Sequence, residues 1–105
     1  MTKLMLTVSF RTDMPWEEAR EYWRTVHRDM VLATPGIVAY TQNSKVSPVT
    51  ENVPWDGIVE ITFEDDDAFR AAMDSAHWAT VNADVPEFAQ WSSVATAIVS
   101  VESHR

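Results

Sequence analysis

The hydrophobic pattern of this 105-residue chain predicts an α+β domain with elements in the order β-α-β-β-α-β. The sheet would be antiparallel, with both helices on one face. Three observations carry this expectation. Four short runs are rich in β-branched and other apolar residues. Two segments between them space apolar residues by turns of a helix rather than by alternation. Proline and glycine punctuate the boundaries.

The elements follow in order. KLMLTVSF (3–10) is a strand by composition and length, apolar on both faces or nearly so. Pro15 then suits the first position of a helix, with Glu17 and Glu18 at the positive end of its dipole. Trp16, Ala19, Trp23, Val26 and Met30 recur at helical spacing and predict one buried face. Pro35-Gly36 ends that helix. IVAYTQNSKV (37–46) is the second strand, and SPVTENVP (47–54) a loop marked by Pro48 and Pro54. WDGIVEITF (55–63) is the third strand, with Gly57 a bulge or a point of close approach. EDDDAFRAAMDS (64–75) opens with acids suited to a helix start and continues with Phe69, Ala72 and Met73. AHWATVNADVPEFAQW (76–91) reads as a broken helical turn and a connection interrupted by Pro86. SVATAIVSVE (93–102) is a β-branched last strand. This order is that of two split βαβ units, the ferredoxin-like arrangement, in a single domain spanning residues 1–105.

Composition narrows the function. A formal net charge of −8 argues against nucleic acid and anionic membrane surfaces, which need clustered Lys and Arg. The chain has no cysteine, so thiol nucleophiles, disulfides and Cys-based metal sites are excluded. His27, His77 and His104 lack HxH or HxxxH spacing, and neither a metal nor a bound cofactor is expected. The N-terminal apolar run is too short for a signal peptide, and no span reaches membrane length, so the expected location is the cytoplasm.

Both faces of the sheet are substantially apolar. In the third strand Val59, Ile61 and Phe63 alternate with Ile58, Glu60 and Thr62. In the last, Ala95, Ala97, Val99 and Val101 alternate with Val94, Thr96, Ile98 and Ser100. A solvated face would be more polar. A second copy packed on the helix-free face is the simplest cover, and a homodimer is expected. Glu60, an acid among apolar neighbours, is expected to bond an Arg or Thr of either chain at that seam.

His27 and Tyr40 are the candidate chemical groups. His27 lies one helical turn from Trp23, Met30 and Val31, at the edge of the buried stripe. Its side chain titrates near neutrality and serves as acid or base where a substrate reaches it. The alternative is a core-edge histidine bonded to a backbone carbonyl. Tyr40 shares an alternating set with Val38 and Gln42, so its hydroxyl enters the same volume if that set faces the helices. The alternative there is a core or interface tyrosine. Trp23, Val31, Trp55, Phe63, Met73, His77 and Trp78 are the expected walls of an apolar pocket.

The succession YWRTVHRDMVLATPGIVAYTQN, WDGIVEITFEDDDAFRAAMDS and ADVPEFAQW resembles the EthD-like family of the dimeric α+β barrel superfamily, along nearly the whole chain. The resemblance implies a ferredoxin-like protomer, a dimer, and a pocket in each protomer between sheet and helices. A methylmuconolactone-isomerising group looks similar around His27 and Tyr40, which implies that the two cooperate. The superfamily also holds cofactor-free monooxygenases and haem-degrading proteins. The haem group's first-strand Asn is not matched by Thr7-Val8-Ser9. Met14 stands where relatives place a Ser or Thr helix cap. The expected function is proton transfer by His27 and Tyr40 on a small cyclic or aromatic-derived carbonyl compound, through isomerisation, dehydration or cofactor-free oxygenation. The alternatives are a non-catalytic module that binds a small apolar ligand and a purely structural dimer.

Overall fold

The structure, a computed structural model, describes residues 1–46, 53–91 and 94–105. Most of the loop expected at 47–54, and the first residue of the strand expected at 93–102, lie outside these. Among the described residues the chain forms β1 (Thr2–Val8), α1 (Trp16–Tyr22), a π-helical turn (Trp23–His27) and α2 (Arg28–Leu32). It continues with β2 (Ile37–Ser44), β3 (Gly57–Phe63), α3 (Asp66–Met73), α4 (Ala76–Asp84), a 3-10 turn (Val85–Glu87) and β4 (Ala95–Val99). The described strands form one sheet in the order β2-β3-β1-β4, and every neighbouring pair is antiparallel. This is the arrangement that two split βαβ units produce.

Local chemistry explains the boundaries. Pro15 caps α1 without a side-chain bond, and its carbonyl accepts from the amides of Glu18 and Ala19. Gly36 follows the helix at φ 86°, a conformation that other residues adopt at a cost. Asp65 caps α3 by accepting from the Ala68 amide at 2.8 Å, and Ser75 caps α4 by accepting from Trp78 at 3.1 Å. Asp56, just before β3, accepts from the Phe10 amide at 2.7 Å and Trp16 Nε1 at 3.0 Å. Lys45 Nζ lies 3.1 Å from the same carboxylate. One carboxylate thus ties the chain after β1, the start of α1 and the end of β2.

Two expectations are corrected. Residues 76–91 hold a complete helix, not a broken turn. Pro86 sits in the 3-10 turn after it, where a missing amide hydrogen costs little. The inward face of the first helical segment is also different. Ala19, Trp23, His27 and Val31 are buried, while Val26 is 48% exposed. The π turn fits one more residue into its coil than an α-helix does, so the inward positions from Trp23 onward fall four apart. His27 therefore stands in the middle of the buried face and not at its edge.

The strand faces separate by the two-residue period. Leu4 and Val8 of β1, and Val59, Ile61 and Phe63 of β3, are buried beneath the helices. On β2, Tyr40 and Gln42 point the same way. Val38 does not join them: a register shift between Ile37 and Ala39 leaves it 53% exposed. Gly57 is a point of close approach, because a β-carbon there would lie 2.6 Å from Cη2 of Trp23.

The opposite face carries Met5, Ile58, Ala97 and Val99 around a central Glu60, none of them buried in the single chain. Glu60 bonds Lys3 at 3.1 Å and Asn43 at 3.0 Å. These partners belong to its own chain and are neither Arg nor Thr, because β1 and β2 flank β3 and bring both residues beside the acid.

Candidate functional site

The π turn and α4 together build the first half of the site. Nδ1 of His27 lies 2.9 Å from Oδ2 of Asp84, the last residue of α4. A carboxylate only accepts, so the neutral imidazole carries its proton on Nδ1 and keeps a lone pair on Nε2. The other Asp84 oxygen accepts from the Tyr22 hydroxyl at 2.6 Å. Phe88 packs against the His27 ring at 4.7 Å between centroids and stacks on Tyr22 at 5.9 Å. The imidazole is thus fixed by a hydrogen bond on one nitrogen and a ring on one side.

Burial sets the electrostatics. His27 is 6% exposed, and its removal from water pushes its pKa below the ordinary 6.5, more than the neighbouring Asp84 raises it. The ring is therefore neutral, and basic at Nε2, around pH 7. Tyr22 is pushed up to about 12, first because its bond to Asp84 favours the neutral phenol.

β2 supplies the second half. The Gln42 side-chain nitrogen lies 2.7 Å from the Trp23 carbonyl and 2.9 Å from the Tyr40 hydroxyl. A carbonyl cannot donate, so the amide orientation is fixed, and its second hydrogen goes to the Tyr40 oxygen. The Tyr40 O–H is then left to donate elsewhere. Desolvation pushes the Tyr40 pKa up to about 12, so it stays a hydrogen-bond donor across the neutral range.

His27 and Tyr40 line one cavity of about 610 Å³ between the sheet and the helices. The sheet side contributes Leu4, Leu6, Val59 and Ile61, and the helices add Trp23, Val31, Met73, Trp78 and Val81. Trp91 and Ile98, 53% and 60% exposed, mark the open side. A largely apolar cavity of this size with a few convergent polar groups has the character of a small-molecule site.

Of the expected wall residues, Trp23, Val31, Met73 and Trp78 are present. Trp55, Phe63 and His77 are not. Phe63 is fully buried in the core against Phe69, at 5.5 Å and 73°. Trp55 lies half-buried just before β3, outside the cavity wall. The His77 Nε2–H donates to the Met30 carbonyl at 2.6 Å and ties α4 to α2. Asp84, Asn82 and Val81 were not singled out from the sequence, whereas Phe88, an aromatic expected at the pocket mouth, is in the wall. The signal was the helical spacing of Trp78, Val81, Val85 and Phe88, hidden by Pro86.

The EthD domain pattern matches residues 11–92. An ethyl tert-butyl ether D (EthD) family protein from Bacillus halodurans is similar in structure, with a TM-score of 0.80 and 19% identity, covering 97% of this chain and 99% of that one. A dimeric ferredoxin-like protein from Thermobifida fusca gives a TM-score of 0.72 at 14% identity, over 95% and 90% of the two chains. SnoaB, a cofactor-independent oxygenase from Streptomyces nogalater, gives 0.69 at 11% identity, over 97% and 93%. None of the curated proteins matches the sequence. At these identities the structural likeness speaks for the fold. With its ferredoxin-like sheet and a family pattern running from the end of β1 almost to β4, the chain belongs to the EthD domain family.

Proposed function

We propose that the protein is a cofactor-independent enzyme that moves protons on a cyclic or aromatic-derived carbonyl compound. One observation carries the reading: His27, held through Nδ1 by the partly buried Asp84, and Tyr40, with its hydrogen left to donate, line the same apolar cavity. Nε2 of His27 takes a proton from the carbon beside the ligand's carbonyl. The C–H pair becomes a C=C bond, and the carbonyl π pair moves onto oxygen, where the Tyr40 O–H stabilises it. Return of the proton at another carbon gives isomerisation. Departure of a β-hydroxyl with the proton, as water, gives dehydration. A ring CH2 beside the carbonyl, deprotonated in the same way, can give its electrons to dioxygen. One oxygen atom stays on that carbon as C=O and the other leaves with the two hydrogens as water, an oxygenation of the kind named for SnoaB.

The active form is a homodimer through the helix-free face. The apolar residues around Glu60 and the dimeric relative from Thermobifida fusca support this assembly. Light scattering is expected to give twice the chain mass of 11.9 kDa.

Deuterium exchange tests the catalytic reading. 1-Tetralone in D2O is expected to gain deuterium beside its carbonyl faster with the protein than without it. His27→Ala is expected to abolish the acceleration and Tyr40→Phe to reduce it strongly. Binding of the ketone without accelerated exchange points instead to a non-catalytic ligand carrier.

A further inference from the structure

We infer that the cavity selects an uncharged ligand, a ring ketone or phenol without a carboxylate, and that Asn82 reads one of its oxygens. This rests on reading the cavity as a ligand site and narrows what the site accepts. The described wall contains no Lys and no Arg. Polar side chains on it include His27, Tyr40, Asn82 and Thr96, neutral groups that recognise oxygens without offsetting a charge.

Seven of the eight Lys and Arg residues are engaged elsewhere. Lys3 pairs with Glu60 on the helix-free face, and Lys45 with Asp56 at the other end of β2. Arg20 donates to Ser44, and Arg24 pairs with Glu21 on the helix exterior. The Asp84 carboxylate lies directly behind His27, 2.9 Å from its Nδ1. A ligand carboxylate entering this space would lose its water beside an existing anion, with no cation to meet it. Such burial is among the most costly events in binding.

A ketone or phenol faces no such cost. Its oxygen accepts from the Tyr40 O–H. Asn82, half-buried on α4, has a side-chain amide that makes no hydrogen bond among the described residues, so it offers both a donor and an acceptor to a second polar group. The volume, near the middle of the range for drug-sized ligands, suits fused or linked rings and not a short-chain acid.

Two probes of the same ring and nearly the same size test this: 2-acetylnaphthalene, a neutral ketone, and 2-naphthoate, its carboxylate counterpart. Their affinities for the full-length protein are read at pH 8 by quenching of tryptophan fluorescence, since Trp23, Trp78 and Trp91 line the cavity. The ketone is expected to bind on the order of 100-fold more tightly. Asn82→Lys, which places a cation on the wall, is expected to strengthen 2-naphthoate binding at least tenfold and to weaken the ketone. Equal or tighter binding of 2-naphthoate by the unaltered protein overturns the inference and leaves the ligand-site reading standing. If Asn82→Lys changes neither affinity, the probes bind outside the cavity, and the inference fails. If neither probe binds at its solubility limit, the ligand-site reading itself falls, and the inference with it.

Discussion

Two acid–base pairs lie on opposite sides of the same sheet, and burial separates their behaviour. His27 and Asp84, side chains 8% and 11% exposed, sit under the helices. Lys3 and Glu60, 24% and 30% exposed, sit on the helix-free face. Glu60 is held below its ordinary carboxylate value by hydrogen bonds from Asn43 and then Lys3, so the charged form wins there. For His27 desolvation outweighs Asp84, and the neutral form wins. A partner of opposite charge therefore does not settle the charge state of a side chain. Desolvation decides at His27, and hydrogen bonds decide at Glu60. The open pair stays an ion pair, and the covered one becomes a neutral base bonded to a carboxylate.

The comparison breaks most directly at the covered pair. Within the proposed reaction, His27→Ala is expected to lower exchange of 1-tetralone by on the order of 100-fold or more, read by NMR. Asp84→Asn keeps the shape but removes the charge behind the imidazole. It is expected to cost about 1–3 kcal/mol in urea unfolding, because buried hydrogen bonds to a charged group are lost. Asp84 acts through His27, so the same variant is also expected to shift the acid limb of the exchange profile to lower pH. An unmoved limb would leave Asp84 with a structural role only.

Gly57→Ala tests the packing beneath that pair. A β-carbon driven into Trp23 is expected to cost about 1–3 kcal/mol in the same assay.

The pH dependence has opposite sources on the two sides. The folded pKa of His27 lies below 6.5, so the unfolded chain binds the extra proton as pH falls. Its contribution to stability is complete above pH 6.5 and disappears as pH drops through the lowered folded value. The groups facing the ring are Asp84 and, behind it, Tyr22, which remains a neutral phenol throughout this range. His27→Gln is therefore expected to flatten the fall in melting temperature just below pH 6.5. Glu60 contributes above its ordinary 4.5 and loses that contribution at lower pH, as the folded carboxylate is protonated.

The smallest effect is expected from Glu60→Gln, at most about 1 kcal/mol if the helix-free face meets water. A cost of about 3–5 kcal/mol, the scale for breaking a buried pair, would show that a second copy covers this face in solution.

The fold was legible because each strand is locally consistent. Val59, Ile61 and Phe63 sit on one face by simple alternation, and Asp65 and Gly36 mark boundaries that their chemistry requires. The site was legible only in part. His27 and Tyr40 stand out as side chains able to exchange or donate protons near apolar neighbours. Asp84 did not stand out, because its role depends on α4 and on a helix meeting it 57 residues away in sequence. Gln42 was similarly hidden, since a strand glutamine reveals nothing until the Trp23 carbonyl fixes its orientation. The expected inward face went wrong at Val26 for a different reason. Hydrophobic spacing was read with the α-helical period, and a π turn lies outside that template.

That turn has a consequence for how sequence length should be read in this segment. If one residue were deleted at position 24 or 25, the helix could close into ordinary α-helical pitch. Trp16, Ala19, Trp23, His27 and Val31 would then be spaced by three and four and share one stripe. The deletion would leave the imidazole on the cavity side, a little under one α-helical turn from Trp23. A gap there in an alignment thus preserves the equivalence of the histidine. A gap earlier in α1 does not, because it rotates Trp16 and Ala19 away from the core they anchor.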